Sequence, residues 1–196
     1  MSSDVDICNM ALGHVGVSRE INSLTEGTTE ADQCRRYYAP TRDAMFRDHD
    51  WPFAQRYVTL GLVANNPNDD WGYAYRYPSN CVRLVKFVLG ARANVTRVPY
   101  ELAHDDAGKL IYTDQADAVV KIIAVVQNSE LYDPAFVIAL SWRLGAELAI
   151  PLSRSEKERD YAYKRYLTEF AVARALAGNE TGADAPPEAE SIRARE

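Results

Sequence analysis

The chain has 196 residues, of which 47% are hydrophobic and 26% are charged, and its formal net charge is −6. A chain of this length and composition predicts a soluble globular protein with one sizeable core, or with a core and a small satellite. The acidic balance argues against a protein that grips phosphate backbones, because such binding depends on clustered Lys and Arg that release counterions.

The N-terminus and the cysteines predict a reducing compartment. The first residues include no basic segment and no long apolar segment, and no apolar run approaches the ~20 residues of a membrane span. We therefore expect a chain made in the cytoplasm and no contact with a membrane. Cys8, Cys34 and Cys81 have no CxxC spacing and lie in apolar patterns. They are expected to be buried free thiols rather than disulfides or zinc ligands.

The N-terminal part of the chain predicts two helices. Apolar residues recur at helical spacing from Val5 to Val15 and again from Ala31 to Met45, and Thr28 or Thr29 can cap the second helix. Pro40 lies inside that second pattern. Because proline removes a backbone hydrogen bond and clashes with the preceding turn, we expect a kink or a break near Tyr38.

Residues 47–56 form a seam, where the helical pattern stops and strand patterns begin. Pro52 disfavours helical conformation at the residue before it, so the helix should end at about Trp51. Trp51 and Phe53 are too large to leave in water, and each would bury roughly 150–250 Å². These two residues are expected to join the helical part to the sheet part and to fix the angle between them.

Beyond the seam the pattern is that of an antiparallel sheet. Residues 82–89 predict an apolar strand, residues 99–102 a short edge strand and residues 105–108 a tight turn. Residues 118–126 predict the most buried strand. Val58, Leu60 and Leu62 predict one buried strand face. A ladder of aromatic residues on alternate positions should either pack against a helix or second sheet or line a subunit interface. It consists of Trp71, Tyr73, Tyr75 and Tyr77.

Two helices are predicted to follow the sheet. Asp133 is a favourable N-cap followed by Pro134 at the first helical position, and the apolar pattern continues to Pro151. Ser155 and Glu158 have the spacing of a capping box for the last helix, which Gly178 can close. The inward face of that helix is predicted to carry Tyr163, Tyr166, Leu167, Phe170 and Ala173.

Together these elements predict an α+β fold, in which N- and C-terminal helices pack as a bundle with a central antiparallel β-sheet lobe. We expect one two-lobed domain over residues 1–178, with helices in 3–50 and 134–177 and the β lobe in 55–126. Residues 179–196 have too few apolar side chains to offset the entropy of ordering, and predict a disordered tail. That tail is either an idle terminus or a segment that orders on a partner, with Ile192, Arg193 and Arg195 as contact points.

Motifs for chemistry are sparse. Phosphate loops, HExxH and GxSxG are all missing from the sequence, so we expect no enzyme activity, cofactor or metal. Asp48, His49 and Asp50 are the best catalytic or metal candidates, but adjacent positions on a helix diverge by about 100° and cannot all face one point. His49 is expected instead to cap helix carbonyls or pack on Trp51. His104, with Asp105 and Asp106, is expected in a turn whose acids are explained by local backbone hydrogen bonds.

Several short motifs occur in a characteristic order along the chain. They are Ser23–Glu26, Glu30, Ala31, Cys34, Tyr38, Arg42, Asp43, His49, Trp51, Phe53, Ala54, Trp71, Tyr73, Tyr75, Tyr77, Pro78, Cys81, Arg83, Leu84, Ile111–Asp114, Asp133, Pro134, Phe136, Val137, Ala139, Leu140 and Trp142–Leu144. Their order resembles a known family, the head-to-tail adaptors of short-tailed bacteriophages, which are tail tubular protein A-like, gatekeeper or head-completion proteins. The resemblance spans about residues 5–175, and Pro52 departs from it because a polar residue is expected there.

The resemblance implies a structural virion protein, assembled in the host cytoplasm as a subunit of a dodecameric ring. Such a ring docks on the capsid portal, supports the tail nozzle or tube, extends the DNA channel and helps to retain packaged DNA without sequence-specific binding. In this family the C-terminal region commonly reaches the portal, so Ile192, Arg193 and Arg195 are the expected partner-binding residues. Two alternatives stay open: a hydrolase using His49 or His104 with nearby acids, or a non-viral interaction module.

Overall fold

The computed structural model describes residues 2–89 and 97–180. It confirms the α+β class, with helices and antiparallel sheets in the predicted order. The helices are α1 (Asp4–His14), α2 (Thr29–Asp48), α3 (Pro134–Leu148) and α4 (Glu156–Glu180). The strands are β1 (Gln55–Thr59), β2 (Gly61–Leu62), β3 (Tyr73–Arg76), β4 (Cys81–Phe87), β5 (Glu101–Asp105), β6 (Gly108–Thr113) and β7 (Val119–Ala124).

The chain divides into two compact units. One, the helical unit, contains the residues up to Thr41 and those from Ser129 onwards, and the other, the sheet unit, contains Arg42–Asn128. The division therefore falls inside α2, earlier than the predicted limit of the helical lobe at residue 50. The prediction that both parts form a single domain stays a prediction.

The helical unit has a core built from one face of each helix. Leu12, Leu140 and Leu144 are fully buried, or nearly so. The hydroxyl of Tyr38 on α2 donates to a carboxylate oxygen of Asp4 on α1 at 2.7 Å. Cys8 and Cys34 are buried free thiols, as predicted, whereas Cys81 in the sheet unit is a free thiol that is only half-buried.

Side chains cap each of these four helices, and on α2 the amide of Ala31 donates to Oγ1 of Thr28 at 3.3 Å, as predicted. The Ser3 hydroxyl accepts from the amide of Asp6, and the Asp6 carboxylate accepts in return from the Ser3 amide, which forms a capping box that the sequence analysis missed. Asp133 accepts from the amides of the second and third residues of α3, as predicted. The amide of Glu158 donates to Ser155 Oγ at 3.2 Å, which confirms half of the predicted capping box.

The sheet unit consists of two antiparallel sheets with a core between them. The first has the strand order β1-β7-β4 and the second β2-β3-β6-β5. Strand β7 is the central strand of its sheet, and Val120, Ile122 and Ile123 are fully buried, which confirms that this strand is the most buried. The tight turn at residues 105–108 joins β5 to β6, with Asp105 paired to Gly108.

One sequence prediction for the sheet unit is wrong, and another is confirmed for most of its residues. The strand containing Val58, Leu60 and Leu62 breaks at Leu60, whose amide donates to Ala118 O, so β1 and β2 belong to different sheets and Leu62 is exposed. The aromatic ladder packs against a second sheet, as predicted, at three of its four positions. Tyr73, Tyr75 and Tyr77 pack into the core between the sheets, whereas Trp71 lies before β3 and packs with Ala74, Leu110 and Tyr112.

Several helix predictions also need correction. Of the predicted kink or break near Tyr38, the break is wrong, because α2 continues through Pro40, and the kink stays a prediction. Similarly, α4 continues past Gly178 to Glu180, and Tyr163 and Leu167 on this helix are exposed rather than inward-facing. The predicted tail beyond residue 180 lies outside the described residues.

One further expectation, that no stretch has the length and composition of a membrane span, is wrong for Pro134–Ser153. This segment comprises α3 and the π-helical turn Ala149–Ser153 that follows it. More than half of its apolar window is buried inside the protein, as in the core helix of a soluble protein. A single segment of this kind is weak evidence for a membrane protein, since core helices and spans share length and composition.

Candidate functional site

The predicted seam residues form an aromatic cluster inside the sheet unit. Trp51 is 1% exposed, and its indole Nε1 donates to the carbonyl oxygen of Met45 at 2.8 Å. The ring of His49 meets the Trp51 ring edge-on at a centroid distance of 4.9 Å, which confirms that His49 packs on Trp51. Phe53 also lies beside Trp51, with the ring centroids 6.3 Å apart. These contacts hold the end of α2 against the start of β1.

The candidate catalytic residues do not come together. Asp50 forms an ion pair with Arg83. His104 is an exposed residue of β5 and not of the turn, and its neighbour Asp105 makes a two-point ion pair with Arg76. In residues 2–89 and 97–180, no three His, Cys, Asp or Glu side chains are grouped so that they could hold a metal ion. Ile192, Arg193 and Arg195 lie outside the described residues.

The sequence analysis missed a histidine stack in the helical unit. His14 lies flat on Trp142, and its Nε2 is 3.0 Å from the hydroxyl oxygen of Ser141. That hydroxyl donates to the carbonyl oxygen of Ile138 at 2.8 Å, so we assign the ring proton to Nε2, which then donates to Ser141. Burial, with a smaller effect from Arg165, lowers the pKa of His14 to about 4.

This histidine stack is poorly suited to nucleophilic catalysis. In a serine nucleophile the histidine accepts the hydroxyl proton. Here the Ser141 proton is already given to a backbone carbonyl, and Ser141 is almost completely buried. The arrangement is better explained as a packing contact between α1 and α3.

An unusual number of exposed apolar side chains lies on α4. The buried stripe of this helix consists of Ala162, Tyr166, Ala173 and Ala177. Successive residues of an α-helix are rotated by about 100°, and this rotation places two further sets of side chains on opposite sides of the buried stripe. We call them flank one, which contains Tyr161, Val172 and Leu176, and flank two, which contains Tyr163 and Leu167. All five side chains are between 48% and 57% exposed.

Each flank of α4 borders aromatic rings of this helix or of α3. Next to flank one, Tyr161 meets Trp142 edge-on at 5.9 Å, and the Arg165 guanidinium lies 5.4 Å from the centre of the Trp142 ring. Next to flank two, Tyr163 is followed by Tyr166 and Phe170, with successive centroids 5.7 and 5.4 Å apart. Aromatic residues and arginine are the types enriched in protein interfaces.

A second candidate surface is an open cleft in the sheet unit. It has a volume of about 560 Å³ and is lined by parts of β4, β5 and β6 together with the end of α2. Arg47, Arg83 and Lys109 contribute three cations to its wall, and no aspartate or glutamate lines it among the described residues. We call it the basic cleft. The sequence gives no sign of it, because its cations are far apart along the chain and only strand pairing brings them together.

Comparison with known proteins does not identify a family for the chain. No protein-family model matches the chain, and no curated protein shows significant similarity to it.

Proposed function

We propose that this chain is a structural virion protein, a subunit of a ring that connects the capsid portal of a short-tailed bacteriophage to its tail. In this role it extends the DNA channel and helps to retain packaged DNA. Its partners are further copies of itself, the portal protein and the tail nozzle or tube protein. The proposal rests on the motif resemblance over residues 5–175, and the order of helices and strands is compatible with it.

The observation that carries the proposal is the pair of exposed apolar flanks on α4. A ring is built from head-to-tail contacts, so each subunit must present two different surfaces, one to each neighbour. Flank one and flank two lie on opposite sides of one helix and differ in their residues. A lone subunit would leave both in water, whereas a ring would cover both.

The charge of the chain is also compatible with this role. A channel through which DNA slides should not hold phosphates tightly, and the formal net charge of −6 gives little attraction for them.

A mixing experiment with charged substitutions tests the two-flank arrangement. Leu167→Glu places a charge in flank two and Val172→Glu places one in flank one, while each variant keeps the other flank intact. Either variant alone is expected to fail to form a ring, because every contact in a ring needs both flanks. An equimolar mixture is expected to form a dimer through the two intact flanks and to stop there. The assembly state is measured by analytical ultracentrifugation.

A matched control uses a residue on the same helix. Ala175 is exposed and points away from the buried stripe and from both flanks, so Ala175→Glu should assemble like the unaltered chain. Circular dichroism checks that all three variants are folded. Normal rings from Leu167→Glu or Val172→Glu would refute the role of α4.

The proposed role of the tail has its own test. Deletion of the residues after Gly178 should leave the fold intact and weaken docking to the portal, because Ile192, Arg193 and Arg195 are the proposed contact residues. Unchanged docking in a portal pull-down would remove this part of the proposal.

The hydrolase alternative requires a reactive group beside His49 or His104. The contacts described above instead place His49 against Trp51 and leave His104 exposed on β5. His104→Ala and His49→Gln distinguish the two functions. A hydrolase would lose its activity when its catalytic histidine is replaced, and its assembly state would not change. An adaptor would still assemble with His104→Ala.

A further inference from the structure

Two of the strands that line the basic cleft are the last strands of two different sheets. Strand β4 is the last strand of one sheet and β5 is the last strand of the other. In the described part of the chain, neither outer edge is paired with another strand. Unpaired edges present free backbone N–H and C=O groups, which can bind an extended peptide by strand addition.

The two edges are not equally available. The Arg47 guanidinium donates to the carbonyl oxygen of Val82 at 3.2 Å, which occupies one acceptor of β4. On β5, Leu102 is 55% exposed and His104 is also exposed. The outer edge of β5 is therefore the more accessible template for an added strand.

The charges of the cleft favour an anionic occupant. Asp50 neutralises Arg83 in part, but the buried Nε of Arg83 has no hydrogen-bond acceptor among the described residues. Lys109 is exposed, and its ammonium group lies 5.5 Å from the centre of the Tyr77 ring. A carboxylate in the cleft would form charge-assisted contacts with the cations that line it.

The rest of the cleft wall is apolar and aromatic, so it can accommodate the apolar side chains of a bound peptide. Leu84 and Leu110 are buried beneath the cleft, and Tyr77 and Tyr100 contribute rings to its side. A volume of about 560 Å³ falls within the ordinary range of ligand pockets. Along an added strand, alternate side chains point to opposite faces, so acidic residues at every second position would all face the same way.

We propose that the basic cleft binds an extended acidic segment of a partner protein, which adds as a strand to the outer edge of β5 with its carboxylates toward Arg83 and Lys109. The proposal does not depend on the ring function. A chain that forms no ring can still bind the peptide, and a chain that forms rings can fail to bind it, so the two can fail separately.

The test uses synthetic hexapeptides and the full chain. The probe is acetyl-Glu-Val-Glu-Val-Glu-Val-amide, and binding is followed by ¹H–¹⁵N NMR titration. Shifts are expected for the amides of 101–105 and 82–84. A peptide with alternate backbone nitrogens methylated keeps the charge but loses strand hydrogen bonds, so its affinity should fall by at least about tenfold. The Lys-Val peptide should not bind.

Side-chain substitutions locate the charge contact. Lys109→Gln should weaken binding of the acidic peptide by about threefold to fivefold, the effect of losing one partly exposed ion pair. Lys157→Gln on α4 is the matched control, because Lys157 is also exposed and belongs to the helical unit, and it should leave binding unchanged.

Three results with the peptides and the variants would overturn the proposal. They are no shift with the acidic peptide, equal binding of the methylated peptide, and equal weakening by Lys157→Gln. A single-stranded oligonucleotide that binds the cleft more tightly than the peptide would assign the cleft to nucleic acid instead, and would also overturn it.

Discussion

The imidazole of His14 lies parallel to the indole of Trp142, with ring centroids 3.5 Å apart and planes within 4° of each other. This contact joins the end of α1 to the middle of α3. Because burial disfavours the charged imidazolium, the pKa of His14 falls from its ordinary value of 6.5 to about 4. The stack therefore needs a neutral histidine.

Stability should depend on pH through His14. Between pH 6.5 and 4 the unfolded chain binds a proton at this site that the folded chain does not. The free energy of unfolding should therefore fall as the pH is lowered across that window. Urea denaturation at pH 7 and pH 5 measures the difference in unfolding free energy between the two pH values. His14→Gln should show a smaller difference than the unaltered chain. An identical loss in both proteins would contradict the assignment.

Trp51 should be the most sensitive residue of the sheet unit. Trp51→Ala removes a fully buried ring and should cost about 3–5 kcal/mol of unfolding free energy. Trp51→Phe keeps most of the apolar volume but loses the hydrogen bond to the Met45 carbonyl, and should cost about 1–3 kcal/mol. Chemical denaturation provides both values. A cost of Trp51→Phe equal to that of Trp51→Ala would show that the hydrogen bond, and not the packing, dominates.

Gly145 should be required for the close approach of α1 and α3. A Cβ at this position would lie 3.2 Å from the carbonyl oxygen of Ala11 and 3.4 Å from Cβ of His14. The carbonyl oxygen of Ala11 can move away only if α1 itself moves. Gly145→Ala should therefore lower the melting temperature, although alanine has the better helix propensity. The matched control is Gly13→Ala, because Gly13 is helical with nothing within 4 Å. That change should be neutral or stabilising.

The Asp105 carboxylate should titrate at an unusually low pH. The guanidinium of Arg76 holds the pKa of Asp105 below its ordinary value, and the amide of Ala107 also donates to the carboxylate. NMR titration of the carboxyl carbon should show this depression, and Arg76→Gln should move the pKa back toward its ordinary value. No change on substitution would mean that the turn amides alone set the pKa of Asp105.

The parts of the fold that local chemistry decides could be predicted from the sequence. Asp133 followed by Pro134 marks the start of α3, and the continuous apolar run marks β7, because caps and burial leave clear patterns. The break at Leu60 could not be predicted. Its alternating neighbours fit one strand equally well, and only pairing with two different sheets separates β1 from β2.

The candidate surfaces were harder to predict than the fold. Tyr163 and Leu167 have the spacing of an inward face, but the narrow buried stripe of alanines on α4 leaves them in water. The basic cleft depends on Arg47, Arg83 and Lys109, which only strand pairing brings together. His14 could not be placed against Trp142, because nothing local indicates which residues of α1 and α3 meet.

The most direct test of the proposed function is the sedimentation mass of the unaltered chain, measured alone and mixed with the portal ring of the virus that encodes it. A defined ring-like stoichiometry with the portal is the predicted result, whether or not the chain is small when alone. The mass of a single 22.0 kDa chain in both samples would contradict the adaptor function.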